Sequence, residues 1–329
     1  MRAAWYERKG PAREVLQLGE LPPPTPGPGE VRVRVHFSGV NPSDTKNRSG
    51  WQGNLAMPFP RIIPHQDGAG VIDAVGEGVP ATRAGERVWV YEAQLGRPFG
   101  TAAEYVVVPS EQAVPLPPGV DLAVGACLGV PAMTAHYCVF ADGPVAGQTV
   151  LVTGGAGAVG CYAVQWAKLG GARVLATVSS EEKAAVARAA GADAVLNYRA
   201  EDVAARVLEL TGGAGVDRVV EVAFGANLSV TQAVLKPNGV VAAYSSDAEP
   251  QPRLPFRAFL QKNAVIRTVL VYVMPRAAHA AAVRDITTAL EAGRLQHLIG
   301  RRLPLAGIAA AHEAVEQGAV LGKVLVEIG

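Results

Sequence analysis

The stretch Val150–Gly160, VLVTGGAGAVG, sets Gly155, Gly157 and Gly160 in G-x-G-x-x-G spacing, after a short apolar run and before an apolar segment of helical period, with Gly154 just upstream. Strand, glycine turn and helix in that order let backbone amides approach a pyrophosphate, which then rests on the free N–H groups and positive dipole end of the helix. The expected cradle is Gly154, Gly155, Ala156, Gly157, Ala158, Val159 and Gly160. Which dinucleotide fits is decided at the end of the next strand, where an acid grips ribose hydroxyls and basic or hydroxyl side chains accept a 2′-phosphate. That strand, RVLATV, runs into Ser179, Ser180, Glu181, Glu182 and Lys183. Ser179 and Glu182 have capping-box spacing, which accounts for the acids as first-turn helix residues. Ser179, Ser180 and Lys183 are then placed to surround a phosphate, with Tyr198 and Arg199 after the following strand as additions, and NADPH is the expected cofactor.

The elements that must position these groups change character along the chain. Leu21–Gly29, LPPPTPGPG, is a connector, because proline fits neither a helix interior nor a central strand. Val31, Val33 and Val35 alternate with Arg32, Arg34 and His36 in the period-two pattern of a half-buried strand. Further short β-like runs, Val71–Val75, Arg87–Tyr91 and Glu104–Val108, lie between turn-rich segments. From about Leu122 alanine-rich helical pattern alternates with the runs Val150–Thr153, Arg173–Val178, Ala194–Leu196, Val216–Val222 and Gly239–Tyr244, the signature of a parallel, doubly wound sheet. One more apolar run, Val269–Val273, a helix from about Arg276 to Gly293 and a closing strand, Lys323–Ile328, complete the chain. The closing strand is expected to return to the first domain.

The 329 residues suit about two domains. Lys plus Arg number 30 and Asp plus Glu 29, so no global charge favours nucleic acid or an anionic membrane, and any anion site must be local. No run approaches the roughly 20 apolar residues of a membrane-spanning helix. Cys127, Cys138 and Cys161 are widely spaced, which favours a reducing compartment over a disulfide framework. MRAAWYERKG lacks the apolar core of a signal peptide, and the expected location is the cytoplasm.

Over nearly its whole length the chain resembles the zinc-independent quinone oxidoreductase, or ζ-crystallin-like, branch of the medium-chain dehydrogenase/reductase superfamily. The resemblance is carried by PGPGEVRVRV, SGVNPSDTKNRSG, PHQDGAGVIDAVGEGV, GGAGAVG, VSSEEK, GADAVLNYR, GVDRVVEVAFGANL and AHEAVEQGAVLGKVLV. It implies an α/β chain in which a GroES-like, β-rich catalytic domain over residues 1–122 and 265–329 flanks a Rossmann domain over 123–264, with the site in the cleft between them. Where zinc alcohol dehydrogenases place their catalytic ligands, this chain carries Asn41, His65 and Val130, and one imidazole cannot hold a catalytic Zn²⁺. The passage from Glu92 to Glu104 also lacks the cysteines of a structural zinc lobe. No metal is therefore expected, and His65 reads as either a relic of the ligand set or a hydrogen-bonded pocket residue.

A metal-free hydride donor suits an acceptor that is already electrophilic, and the resemblance implies a quinone or an α,β-unsaturated carbonyl. By position the catalytic candidates are Asn41, Asp44, Lys46 and Arg48. Asn41 is expected either to donate to the acceptor carbonyl or to serve as a turn residue before Pro42. Lys46 replaces a family tyrosine and Gln52 another, so the acceptor range is expected to differ from that of the type members. Trp51, His65 and Tyr91, with Phe59 and Phe99, are candidates for pocket walls. Asn227 and Ser245 or Ser246 are implied near the nicotinamide, at the carboxyl ends of strands. The resemblance also implies a homodimer. The rival readings are another carbonyl or alcohol dehydrogenase on the same fold and a crystallin-like nucleotide binder without turnover.

Overall fold

The computed structural model describes residues 1–329 and divides into two compact units, Met1–Val130 with Val283–Gly329, and Pro131–Ala282.

The first unit is built on a seven-stranded sheet. Its path runs Ile299–Pro304, Lys323–Glu327, Glu30–Val40, Asp67–Val75, Arg87–Val90 and Ala113–Pro115, and Tyr105–Pro109 also pairs with Glu30–Val40. All pairings are antiparallel except that between Ile299–Pro304 and Lys323–Glu327. The period-two pattern of the Glu30 strand is realised as Val31, Val33 and Val35 buried in a core with Ile63, Ile72, Val88, Val106 and Val324. The closing strand does return to this unit: Val324 to Glu327 pair with Val40 to Phe37 at the centre of the sheet. Pairing of the last strand with one near the start closes the unit.

The second unit is a six-stranded parallel sheet in the order Ala194–Asn197, Arg173–Val178, Thr149–Val152, Val216–Glu221, Leu235–Ala243, Val265–Thr268. The chain begins at Thr149–Val152, builds outward to one side, then returns and builds outward on the other. The strand order therefore reverses between Thr149–Val152 and Val216–Glu221, the place where open α/β sheets bind ligands. Buried Leu151, Leu175, Val219 and Val241 form the centre of its core with residues from the covering helices.

The unit boundaries differ from those expected. The first lies at Val130 rather than 122, and the second falls inside helix Arg276–Glu291 rather than at 265. The physical reason is Val265–Thr268, which extends the parallel sheet by pairing with Leu235–Ala243 and so belongs to the nucleotide unit. The apolar run Val269–Val273 is not a strand. Its end, Val271–Val273, is a single 3₁₀ turn.

The glycine turn joins strand Thr149–Val152 to helix Ala158–Leu169. Gly154 has φ of +65°, and a Cβ on Gly160 would lie 2.1 Å from the Gly154 carbonyl oxygen. Gly160→Ala should therefore force the turn apart and destabilise the fold by about 1–3 kcal/mol, the usual cost of overpacking. Chemical denaturation measures this, and a variant of wild-type stability would show that the turn is not closed this tightly.

Candidate functional site

Around the glycine turn the polar groups are arranged to leave the front of the helix available. The Gly154 N–H donates to Thr177 Oγ1 at 3.1 Å and the Gly155 N–H to the Thr177 carbonyl at 2.9 Å. Helix Ala158–Leu169 has no side-chain cap on its first amides, which leaves them for an anion. At the end of strand Arg173–Val178, Ser180 caps the next helix by accepting the Lys183 N–H, so the capping serine is Ser180 and not Ser179. Ser179 is thereby released from capping. Its Oγ accepts from Lys183 Nζ at 3.1 Å, which gathers a hydroxyl and an ammonium beside the glycine turn. The Tyr198 N–H donates to the Val178 carbonyl, and its side chain is half exposed at that strand end, suited to cover an adenine face. This donor set fits a dinucleotide carrying a 2′-phosphate.

Asn227 and the two serines are already engaged. Asn227 Nδ2 donates at 2.8 Å to Glu221, a buried carboxylate that also accepts from Thr153 Oγ1 and the Ala223 N–H. Burial raises the pKa of Glu221, and these donors work against the rise. Glu221 and Thr153 sit at the ends of the two strands flanking the order reversal, and sequence reasoning missed both. Ser245 Oγ donates to Asp247, while Ser246 Oγ accepts from the Gly225 N–H and donates to the Glu249 carbonyl.

In the β-rich unit the Asn41 amide lies in a buried cluster with Asp67 and Lys323. Asn41 Nδ2 donates to Asp67 Oδ2 at 2.8 Å, Lys323 Nζ donates to the same oxygen at 2.8 Å, and Lys323 also donates to Asn41 Oδ1. Asp67 Oδ1 accepts the Val130 N–H at 2.9 Å. Two glycines make room for the pair. A Cβ on Gly39 would meet Lys323 Cε at 2.7 Å and the Ala126 carbonyl at 2.2 Å, and one on Gly129 would meet Asp67 Oδ1 at 2.2 Å. An ammonium bonded to both the amide and the carboxylate is the wrong partner for a dication, so this donor set does not fit Zn²⁺. Val130 enters the cluster through its backbone alone.

The other expected catalytic residues lie on helix Pro42–Ser49, which Asn41 begins. The Asp44 carboxylate reaches back to accept the Asn41 N–H at 2.8 Å. Burial and, next, the nearby Asp67 charge raise Asp44 to about 7. Arg48 is fully buried and bonded to the Gly10 carbonyl and Glu316, which commits it to packing its helix against helix Ile308–Glu316 and not to a substrate. Lys46 holds its ammonium 4.6 Å from the centre of the Trp51 ring, and both reach the surface beside the turn at Gly50.

His65 is not a pocket wall. It is fully buried and sits in a hydrogen-bonded chain whose directions can be read. Thr101 Oγ1 donates to the Asp67 carbonyl at 2.6 Å, so it accepts from Ser38 Oγ at 2.7 Å, and Ser38 in turn accepts from His65 Nδ1 at 2.7 Å. His65 Nε2 is then an acceptor, and His312 Nε2 donates to it at 2.9 Å. Both rings are neutral. Burial, then the neighbouring His312 and Lys323, holds His65 well below 6.5, and burial with Arg48 brings His312 to about 3. Tyr91 is buried against Trp89, Phe99 packs on the core of this unit, and Phe59 packs with Tyr6, Val15 and Ile62, so only Trp51 among the expected walls is well exposed.

Residues 27–118 match the alcohol dehydrogenase GroES-like domain, and residues 158–288 match the zinc-binding dehydrogenase family. Human quinone oxidoreductase is 31% identical over 325 residues, covering 97% of this chain and 95% of that protein. A 2-haloacrylate reductase from Burkholderia is 32% identical over 332 residues, covering 99% and 98%. A mycobacterial protein solved in complex with NADPH superposes with a TM-score of 0.86 at 29% identity, covering 99% of each chain. A GroES-like unit joined to a doubly wound nucleotide unit is the architecture of the medium-chain dehydrogenases and reductases. The chain belongs to the quinone oxidoreductase branch of that superfamily, and it is an oxidoreductase.

The buried acid and histidines give opposing pH dependences. Asp44, raised from 3.8 to about 7, keeps its proton in the folded chain where the unfolded chain has lost it, so its contribution makes stability fall as pH rises across that window. His65 and His312 stay neutral when folded, and the unfolded chain takes up protons below 6.5, so their contribution is lost as pH falls. Asp44→Asn removes the first effect alone. The stability of this variant relative to wild type should improve steadily from about pH 4.5 to about pH 7.5 in urea titrations, and a difference independent of pH would contradict the assignment.

Proposed function

We propose that this protein binds NADPH and reduces a quinone or an α,β-unsaturated carbonyl without a metal, working in the cytoplasm as a homodimer. NADPH, when bound, supplies the hydride from its reduced nicotinamide ring. The glycine turn holds the pyrophosphate on the first amides of helix Ala158–Leu169, and Ser179 and Lys183 hold the 2′-phosphate. The observation that carries the reading is the Lys183 Nζ–Ser179 Oγ contact beside that turn, a cationic donor pair where an NAD site needs an acid. On the acceptor, the hydride bonds to an electrophilic carbon and an electron pair moves onto the carbonyl oxygen. Asn41, at the start of helix Pro42–Ser49, is the side-chain amide we assign to support that charge. Lys46, over Trp51, adds positive charge at the acceptor side and sets the range of acceptors.

Three buried thiols with no disulfide suit a reducing compartment, and no helix is long and apolar enough to cross a membrane. The dimer is supported by strand Val265–Thr268, which leaves one edge of the parallel sheet open and is followed by exposed Leu270 and Val273.

Lys183→Glu should raise the Kd for NADPH by at least about tenfold and spare NADH, the loss expected for one charge-assisted phosphate contact. Equal effects on both cofactors would remove the phosphate contact. A panel with a simple quinone and a simple enone, run with each cofactor, reads the acceptor class, and NADPH binding without turnover on either would leave a nucleotide-binding protein. Val273→Asp should yield a monomer in sedimentation velocity; a wild-type sedimentation coefficient would place any dimer contact elsewhere.

A further inference from the structure

We infer that Glu221 assists hydride release electrostatically: its buried carboxylate, which no cation of the protein neutralises, favours the oxidised, positively charged nicotinamide over the reduced, neutral one. The inference rests on the reading that NADPH binds at the glycine turn.

Glu221 ends strand Val216–Glu221 and is fully buried. A carboxylate taken out of water is costly unless a cation pairs with it or hydrogen bonds hold it. Here the hydrogen bonds come from neutral groups. Oε1 accepts from the Ala223 N–H at 2.6 Å, Asn227 Nδ2 at 2.8 Å and Thr153 Oγ1 at 2.9 Å, and Oε2 accepts from Thr231 Oγ1 at 3.5 Å. Arg218, a buried cation on the same strand, gives its guanidinium to the carbonyls of Cys138, Val139 and Asp142 instead. Dipoles therefore hold the Glu221 charge in place without cancelling it. Asp67 is the contrast, since its charge is matched by Lys323 at 2.8 Å.

The place of this charge gives it a use. Strands Val216–Glu221 and Thr149–Val152 are neighbours at the reversal of strand order, and Thr153, just beyond the second, reaches across to Glu221. The next residue, Val222, lies against the glycine turn, for a Cβ on Gly154 would come within 3.1 Å of Val222 Cγ1. A dinucleotide whose pyrophosphate rests on that turn extends across the reversal point. When hydride leaves for the acceptor carbon, one carbon–hydrogen bond of the ring breaks and both electrons go with the hydrogen. The ring left behind gains one positive charge. A fixed negative charge nearby, in an interior that screens poorly, lowers the energy of that state relative to the neutral ring.

The test removes the charge and keeps the hydrogen bonds. In Glu221→Gln the amide oxygen can accept the same three donors while its NH₂ donates to the Thr231 hydroxyl. Calorimetric titration of the variant should show the ratio of the Kd for NADP⁺ to that for NADPH raised about tenfold, a size ordinary for one poorly screened charge. Hydride transfer in a single turnover should slow, and the melting temperature should stay within a few degrees of wild type. Thr231→Val disturbs the same carboxylate but leaves its charge, and should keep the wild-type ratio. An unchanged ratio in folded Glu221→Gln, or an equal shift in Thr231→Val, would overturn the inference. Failure of the wild-type protein to bind either nucleotide would remove the NADPH reading itself. Should Glu221→Gln not fold, the wild-type protein decides, because the linkage between ligand and proton is reciprocal. Followed by ¹³C NMR, the Glu221 carboxyl should titrate at lower pH with NADP⁺ bound than with NADPH bound, and coincident curves would overturn the inference.

Discussion

The Asp67 carboxylate is the point on which the β-rich unit depends. Its two oxygens accept from Asn41, Lys323 and Val130, and its own carbonyl accepts from Thr101, so one residue fastens strands Glu30–Val40, Asp67–Val75 and Lys323–Glu327 and the segment after Leu128. Two charges taken out of water cost several kcal/mol each, and only close geometry with every remaining lone pair engaged offsets that cost. The structure meets this condition at Asp67. The same condition explains why residues around it are glycine, and why removal of a single partner is more damaging than loss of an exposed ion pair such as Arg206–Glu209.

The histidine chain follows from the same residue. Because the Asp67 carbonyl can only accept, the hydroxyls of Thr101 and Ser38 are oriented in turn, and they fix the tautomers of His65 and His312. The histidine whose residue type suggests a metal or a proton relay is therefore a neutral internal strut. Of the candidate groups in this unit, Asn41 lies in the buried cluster with Asp67, and Lys46 with Trp51 lies nearer the surface. The nucleotide unit is organised differently. There Thr153 donates to Glu221 and Thr177 accepts the Gly154 and Gly155 N–H groups beneath the strand ends, while Lys183 donates to Ser179 beside the glycine turn.

Much of this is legible in the sequence because it is local. The glycine turn, the alternating strands and helices and the serine–lysine strand end each span a few residues, and the structure forms them where the pattern lies. The pattern misleads where a competing local signal is stronger. Val269–Val273 is the more apolar run, yet VIRT at Val265–Thr268 is the strand, because an edge position needs only one paired side. Ser179 and Ser180 both precede the helix, and backbone geometry alone selects Ser180 as its cap. The Asp67–Lys323 pair is hidden for a plainer reason: its members are 256 residues apart, and no periodicity links them. His312, Ser38 and Thr101 are hidden likewise, although a glycine beside each member of the pair, Gly39 and Gly129, is a faint sign that something large approaches.

The central claim is that a hydride passes to an electrophilic carbon of an acceptor whose carbonyl oxygen the protein holds. It is tested most directly by giving the wild-type protein NADPH deuterated at nicotinamide C4, on each face in turn, with a simple enone, and locating the label in the product by NMR. The account predicts one deuterium on the β-carbon of a saturated ketone, from one face only. Deuterium on the carbonyl carbon of an allylic alcohol, or cofactor consumed with no label in the product, would contradict it.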